Sequence, residues 1–128
     1  MTYKSAKVYT GSEWVDLAVT TTDVWVRTVR DITGTSYTLD SADSGKSLNF
    51  SNSSAITVTV PPTTSVSFPI GETFVITPKG TGQITVVAGA GVTLRSLNSK
   101  VKSAGQYAEL RLSKIAADEW LLSGDLTA

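Results

Sequence analysis

The sequence predicts an all-β protein: an antiparallel, jelly-roll-like β-sandwich preceded by a β-hairpin and an extended arm. Apolar and polar residues alternate with a period of two along most of the chain, as in residues 55–60 (AITVTV). Valine and threonine, which favour strands, are frequent, and Gly or Pro residues separate the alternating runs at short intervals. No stretch has the apolar spacing of an amphipathic helix.

The amino-terminal region has the pattern of a short hairpin, because residues 6–10 (AKVYT) and 13–17 (EWVDL) flank a Gly-Ser pair that suits a two-residue turn. The predicted cross-strand pairs are Lys7 with Asp16, Val8 with Val15, and Tyr9 with Trp14. A two-stranded ribbon is only marginally stable in water, so we expect this one to pack on a partner surface. The candidate attachment residues are Tyr9, Trp14, Val15 and Trp25.

A further alternating run at residues 18–30 predicts a strand or an extended arm. Residues 31–36, which include Gly34, form the best candidate linker. We therefore expect an attachment region of residues 1–33 and a sandwich domain of residues 34–128.

The sandwich domain contains nine alternating runs, which we interpret as its strands. They are residues 37–39, 47–51, 55–60, 65–68, 73–77, 84–87, 92–94, 107–115 and 120–123. Alternation predicts that Ile56, Val58, Val60, Leu110 and Leu112 point inward and that Arg111 points outward. Residues 40–45 predict one helical turn, with Asp40 as its amino-terminal cap and Gly45 as its left-handed end.

Composition excludes several classes of function. Lys and Arg together number 11, as do Asp and Glu, and the scattered basic residues form no patch of the kind that nucleic acid requires. Without Cys or His, the chain has no disulfides, no thiolate or imidazole metal ligands and no imidazole-based triad. No cofactor or metal is expected. The chain shows no signal peptide and no membrane span, which would need about 18 apolar residues, so we expect assembly in the cytoplasm.

Four short motifs imitate active or nucleotide-binding sites, but each lacks a required part. Residues 44–47 (SGKS) resemble the end of a P-loop, which would need glycine where Asp40 stands. No helix follows the glycine pairs at 80–82 and 89–91, as a dinucleotide loop requires, so we predict hairpin turns there. The carboxylates of residues 118–119 are adjacent in a turn and point apart, unlike a glycosidase pair. We therefore predict that the protein is not an enzyme.

The aromatic residues leave two alternatives open. Three Trp and four Tyr could form a platform that stacks on sugar rings. Trp25 and Trp120 lie in alternating runs, however, and this favours packing in the core or at a subunit interface, where aromatic residues are enriched.

Five segments occur in an order that resembles the carboxy-terminal domains of bacteriophage tail-fibre proteins. They are residues 42–50 (ADSGKSLNF), 55–61 (AITVTVP), 68–71 (FPIG), 85–94 (TVVAGAGVTL) and 120–126 (WLLSGDL). Residues 6–15 (AKVYTGSEWV) also resemble the small amino-terminal hairpin of phage tail and decoration proteins. The resemblance covers residues 37–126 and the hairpin. It implies a role at the virion surface, commonly as a homotrimer, and it brings no catalytic residues.

The chain shows no collagen-like, coiled-coil or repeat shaft, which favours a short decoration protein (cement or head-fibre type) on the capsid over a long fibre. Its expected partners are itself and the major capsid protein or a tail protein of the same phage. The alternative is a receptor-binding module that recognises host-surface glycans through loops such as 80–82 or 98–105. A depolymerase fragment comes third, because no converging carboxylates are visible.

Overall fold

A computed structural model describes residues 7–9, 14–16 and 27–128. Within these ranges the chain forms short strands and two turns of 3-10 helix, Ser41–Asp43 and Leu97–Ser99. The strands are β1 (Lys7–Tyr9), β2 (Trp14–Asp16), β3 (Thr28–Ile32), β4 (Ser36–Thr38), β5 (Lys46–Phe50), β6 (Ile56–Val60), β7 (Thr73–Pro78), β8 (Ile84–Ala88), β9 (Thr93–Ser96), β10 (Lys102–Ser103), β11 (Leu110–Ala116), β12 (Glu119–Gly124) and β13 (Leu126–Thr127). None of the described helical turns has the length and apolar character to cross a membrane.

Strands β1 and β2 form the predicted antiparallel hairpin. The residues that face each other across it are Lys7 with Asp16, Val8 with Val15, and Tyr9 with Trp14. Both the hairpin and its register are therefore confirmed.

The remaining strands form a sandwich of two sheets. The six-stranded sheet has the order β3-β5-β7-β11-β12-β9, and the five-stranded sheet has the order β13-β10-β8-β6-β4. From β3 to β8, successive strands lie in alternate sheets. Each strand from β5 to β8 therefore pairs, in parallel, with the strand two places earlier in the chain. The antiparallel hairpin of β11 and β12 then extends the six-stranded sheet beyond β7.

The all-β sandwich is confirmed, but its sheets are mixed and not purely antiparallel as predicted. Side chains alternate in the same way along parallel and antiparallel strands, so the pattern that identified the strands could not reveal their direction. The jelly-roll-like connectivity is not confirmed.

Three loops that cross between the sheets stack at one side of the sandwich. They are residues 33–35, 51–55 and 79–83. The side-chain amide of Asn52 donates to the carbonyl oxygen of Thr33 at 2.7 Å, and the N–H of Gly82 donates to the carbonyl oxygen of Asn52 at 2.8 Å. The middle loop thereby connects its two neighbours.

This stacking explains the glycines at 80 and 82. A Cβ on Gly82 would overlap the carbonyl oxygen of Ser54, and one on Gly80 would lie 2.6 Å from the amide nitrogen of Asn52. The hairpin turns predicted at 80–82 and 89–91 are wrong, because β7 and β8, like β8 and β9, lie in different sheets.

The core lies between the two sheets. The inward residues predicted on β6 and β11 are all buried, and Arg111 is exposed. Trp120 lies against Phe74, with ring centroids 6.0 Å apart, and meets Phe68 edge to face at 5.8 Å. Such aromatic pairs stabilise a core beyond the area that they bury.

The predicted helical turn is confirmed as a single turn of 3-10 helix. The carboxylate of Asp40 accepts the N–H of Ala42, and Gly45 follows the turn at φ +73°. The strand predicted at residues 65–68 is wrong, since this segment belongs to the loop between β6 and β7, although Phe68 is buried.

The six-stranded sheet begins inside the segment predicted to be an arm. Strand β3 pairs with β5 along all five of its residues, and Ile32 belongs to the core. Residues 28–32 are therefore part of the sandwich. The division of the chain at residue 33 stays a prediction for the preceding segment, because residues 17–26 lie outside the described ranges.

Candidate functional site

The hairpin carries three of the four attachment residues that the sequence predicted. Tyr9 and Trp14 are direct cross-strand partners, and Val15 is the neighbour of Trp14 on β2. Trp25 lies outside the described residues. The structure thus brings Tyr9, Trp14 and Val15 together on one small element.

Arg27 holds the chain where it enters the sandwich. Its Nη2 donates to the carbonyl oxygen of Thr73 at 2.6 Å and to that of Lys46 at 3.1 Å, and its Nε donates to Ser47 Oγ at 3.3 Å. These acceptors lie at the starts of β5 and β7, so one side chain reaches across two strands. A charged donor strengthens such hydrogen bonds. Arg27 therefore ties the residue before β3 to the starts of β5 and β7.

Asp43 is fully buried and connects β3 and β4 to the first 3-10 turn. Its carboxylate accepts hydrogen bonds from Arg30 Nη1 at 2.7 Å, from the Tyr37 hydroxyl at 2.6 Å and from the Asp40 N–H at 2.9 Å. Burial, and then the hydrogen bond to Asp43, raise the pKa of Tyr37. Interaction with Tyr37, and then with Asp43, raises the pKa of Arg30. The carboxylate is fully engaged within the fold, so we assign this cluster a structural role.

A second polar cluster fastens the loop between β6 and β7 to the β11-β12 hairpin. Lys114 is only 4% exposed, and its ammonium donates to the carbonyl oxygen of Phe68 at 2.7 Å and to Thr63 Oγ1 at 3.2 Å. Asp118 accepts hydrogen bonds from both the N–H and the hydroxyl of Thr63 at 2.7 Å. These bonds, with the backbone donor contributing most, lower the pKa of Asp118.

The two adjacent carboxylates of the β11-β12 turn do not form an acid/base pair. Asp118 binds Thr63, whereas Glu119 Oε2 pairs with Arg95 Nε at 2.7 Å. The prediction that they point apart is confirmed. Across residues 27–128 no cluster of three or more carboxylates could hold a metal ion, and every buried side-chain nitrogen or oxygen described has a hydrogen-bond partner.

The aromatic residues of the sandwich give little room for a sugar platform. Trp120 is buried in the core, which confirms the packing interpretation for this residue. Among residues 27–128, Tyr107 is the exposed aromatic residue. The loop at 80–82, one of the two proposed to contact glycans, is packed against residues 52–54.

The outer faces of the two sheets differ in character. The six-stranded sheet exposes large apolar side chains on that face, namely Val29, Ile115 and Leu121. All but two of the outward residues of the five-stranded sheet, Val87 and Lys102, carry a hydroxyl group. Those that do are Ser36, Thr38, Thr57, Thr59, Thr85 and Thr127.

A shallow groove of about 240 Å³ lies at the β9-β12 side of the six-stranded sheet. Leu97, Leu121 and Leu126 supply its apolar lining, and Lys100 lies at the same groove. Alternation along β12 could have indicated Leu121, because inward Trp120 and Leu122 leave it facing out. Nothing local could have indicated the contacts of Arg27, whose acceptors lie 19 to 46 residues away.

Comparison of the chain with models of known protein families gives no match, and comparison with curated proteins gives none either.

Proposed function

We propose that this protein is a non-enzymatic structural protein of a bacteriophage virion, a short trimeric decoration protein on the capsid surface. It is made in the host cytoplasm and joins the particle there. Its partners are two further copies of itself and the major capsid protein, or a tail protein, of the same phage.

One observation supports this proposal most directly. The described core draws on residues from Ile32 onward, and the hairpin of β1 and β2 forms a two-stranded sheet of its own. A hairpin of this size gains stability from a surface on which it packs. A sandwich that carries such a separate hairpin suits a protein in which a small element makes the attachment and the sandwich is displayed.

The segments that resemble phage tail-fibre domains coincide with strands and turns of the sandwich, which agrees with this interpretation. Residues 42–50 include the capped 3-10 turn and β5, residues 55–61 include β6, and residues 120–126 include most of β12. The resemblance brings no catalytic group, and the carboxylates of the β11-β12 turn have structural partners.

The proposal is tested by adding the purified chain to particles of the parent phage that lack it, and counting bound copies by quantitative mass spectrometry. A copy number proportional to the major capsid protein would support capsid decoration, and one proportional to the tail proteins would place the chain on the tail. No binding at saturating concentration would contradict a role on the virion.

Two variants examine the attachment residues. Trp14→Ala should lower occupancy at least tenfold, because an aromatic anchor at an interface commonly contributes more than about 1.4 kcal/mol. Tyr107→Ala, which removes an exposed aromatic ring from the sandwich, is the matched control and should bind normally. Normal binding of Trp14→Ala together with weakened binding of Tyr107→Ala would indicate that the attachment surface lies on the sandwich. Binding to a glycan array that is lost in Tyr107→Ala would instead favour the receptor-binding alternative.

A further inference from the structure

We draw no further inference here: the strongest candidate, the apolar outer face of the six-stranded sheet with Val29, Ile115 and Leu121 and the groove beside β9 and β12, carries no proposal because nothing in the part of the chain that the structure describes shows what covers it.

Discussion

Gly82 shows how strictly one residue is determined by loops that are far away in sequence. A Cβ at this position would collide with the backbone of Ser54 and Asn52, which belong to the preceding loop of the stack. Backbone cannot move aside as a flexible side chain can. Glycine is therefore required here by close approach and not by an unusual φ.

We accordingly predict that Gly82→Ala lowers the free energy of unfolding by about 1 to 3 kcal/mol, the usual effect of forcing extra atoms into a packed site. Gly105→Ala is the matched control, since a Cβ there meets nothing within 4 Å. Urea titration followed by circular dichroism measures both. Equal urea midpoints for the two variants would show that the loops can move apart without loss of stability.

Leu112 provides a second test at the scale of the residue. Its side chain is fully buried on β11, so Leu112→Ala should cost about 2 to 5 kcal/mol through lost transfer energy and the cavity that remains. Thr57→Ala, at an exposed position of β6, should cost no more than about 1 kcal/mol. Urea midpoints of both variants test this prediction. A small loss of stability in Leu112→Ala would mean that the surrounding side chains close the cavity.

At the scale of the element, the turn between β11 and β12 is coupled to pH through Asp118. Its pKa is lowered in the folded chain from the ordinary value of 3.8, so this carboxylate stabilises the fold at pH values above that value. That contribution is lost as the pH falls through the lower folded value. At neutral pH it is fully present.

We predict that the stability advantage of the unaltered protein over Asp118→Asn, measured as the difference in urea midpoint, is largest at neutral pH. It should shrink once the pH falls below about 4, because protonation then removes the charge that Asn lacks at every pH. Urea titrations between neutral and strongly acidic pH measure it. A difference that stays constant with pH would refute an electrostatic role for this turn.

The elements that could be predicted are those whose cause is local. Strands β6 and β11 alternate regularly between apolar and polar residues, and the capped turn beginning at Asp40 contains its own donors and acceptors. Strands β10 and β13 have two residues each, too few to show a period, and they exist because they pair with each other and β10 pairs with β8.

At the scale of the whole molecule, the position of β3 determines where the chain can be cut. Deletion of residues 1–26 leaves β3 and the described core intact, so the remaining chain should keep its β-rich circular dichroism spectrum and melt cooperatively. Deletion of residues 1–33 removes β3 and Ile32 from the six-stranded sheet. The longer deletion should therefore lower the melting temperature markedly.

Thermal melts of both truncated proteins against the full chain test this prediction. Equal melting temperatures for the two truncations would show that β3 adds little to the sandwich. The predicted boundary at residue 33 would then describe the folded unit better than a boundary before residue 27.

The sequence alone determined most of the longer strands with their inward residues, the register of the hairpin and the capped turn, because each depends on neighbours within a few residues. Only the tertiary structure decided which strands lie side by side, which of them run parallel, and why Gly82 must be glycine. It also revealed the reach of Arg27 and the apolar face shared by Val29, Ile115 and Leu121. These features depend on contacts between segments tens of residues apart, for which alternation along a single strand contains no information.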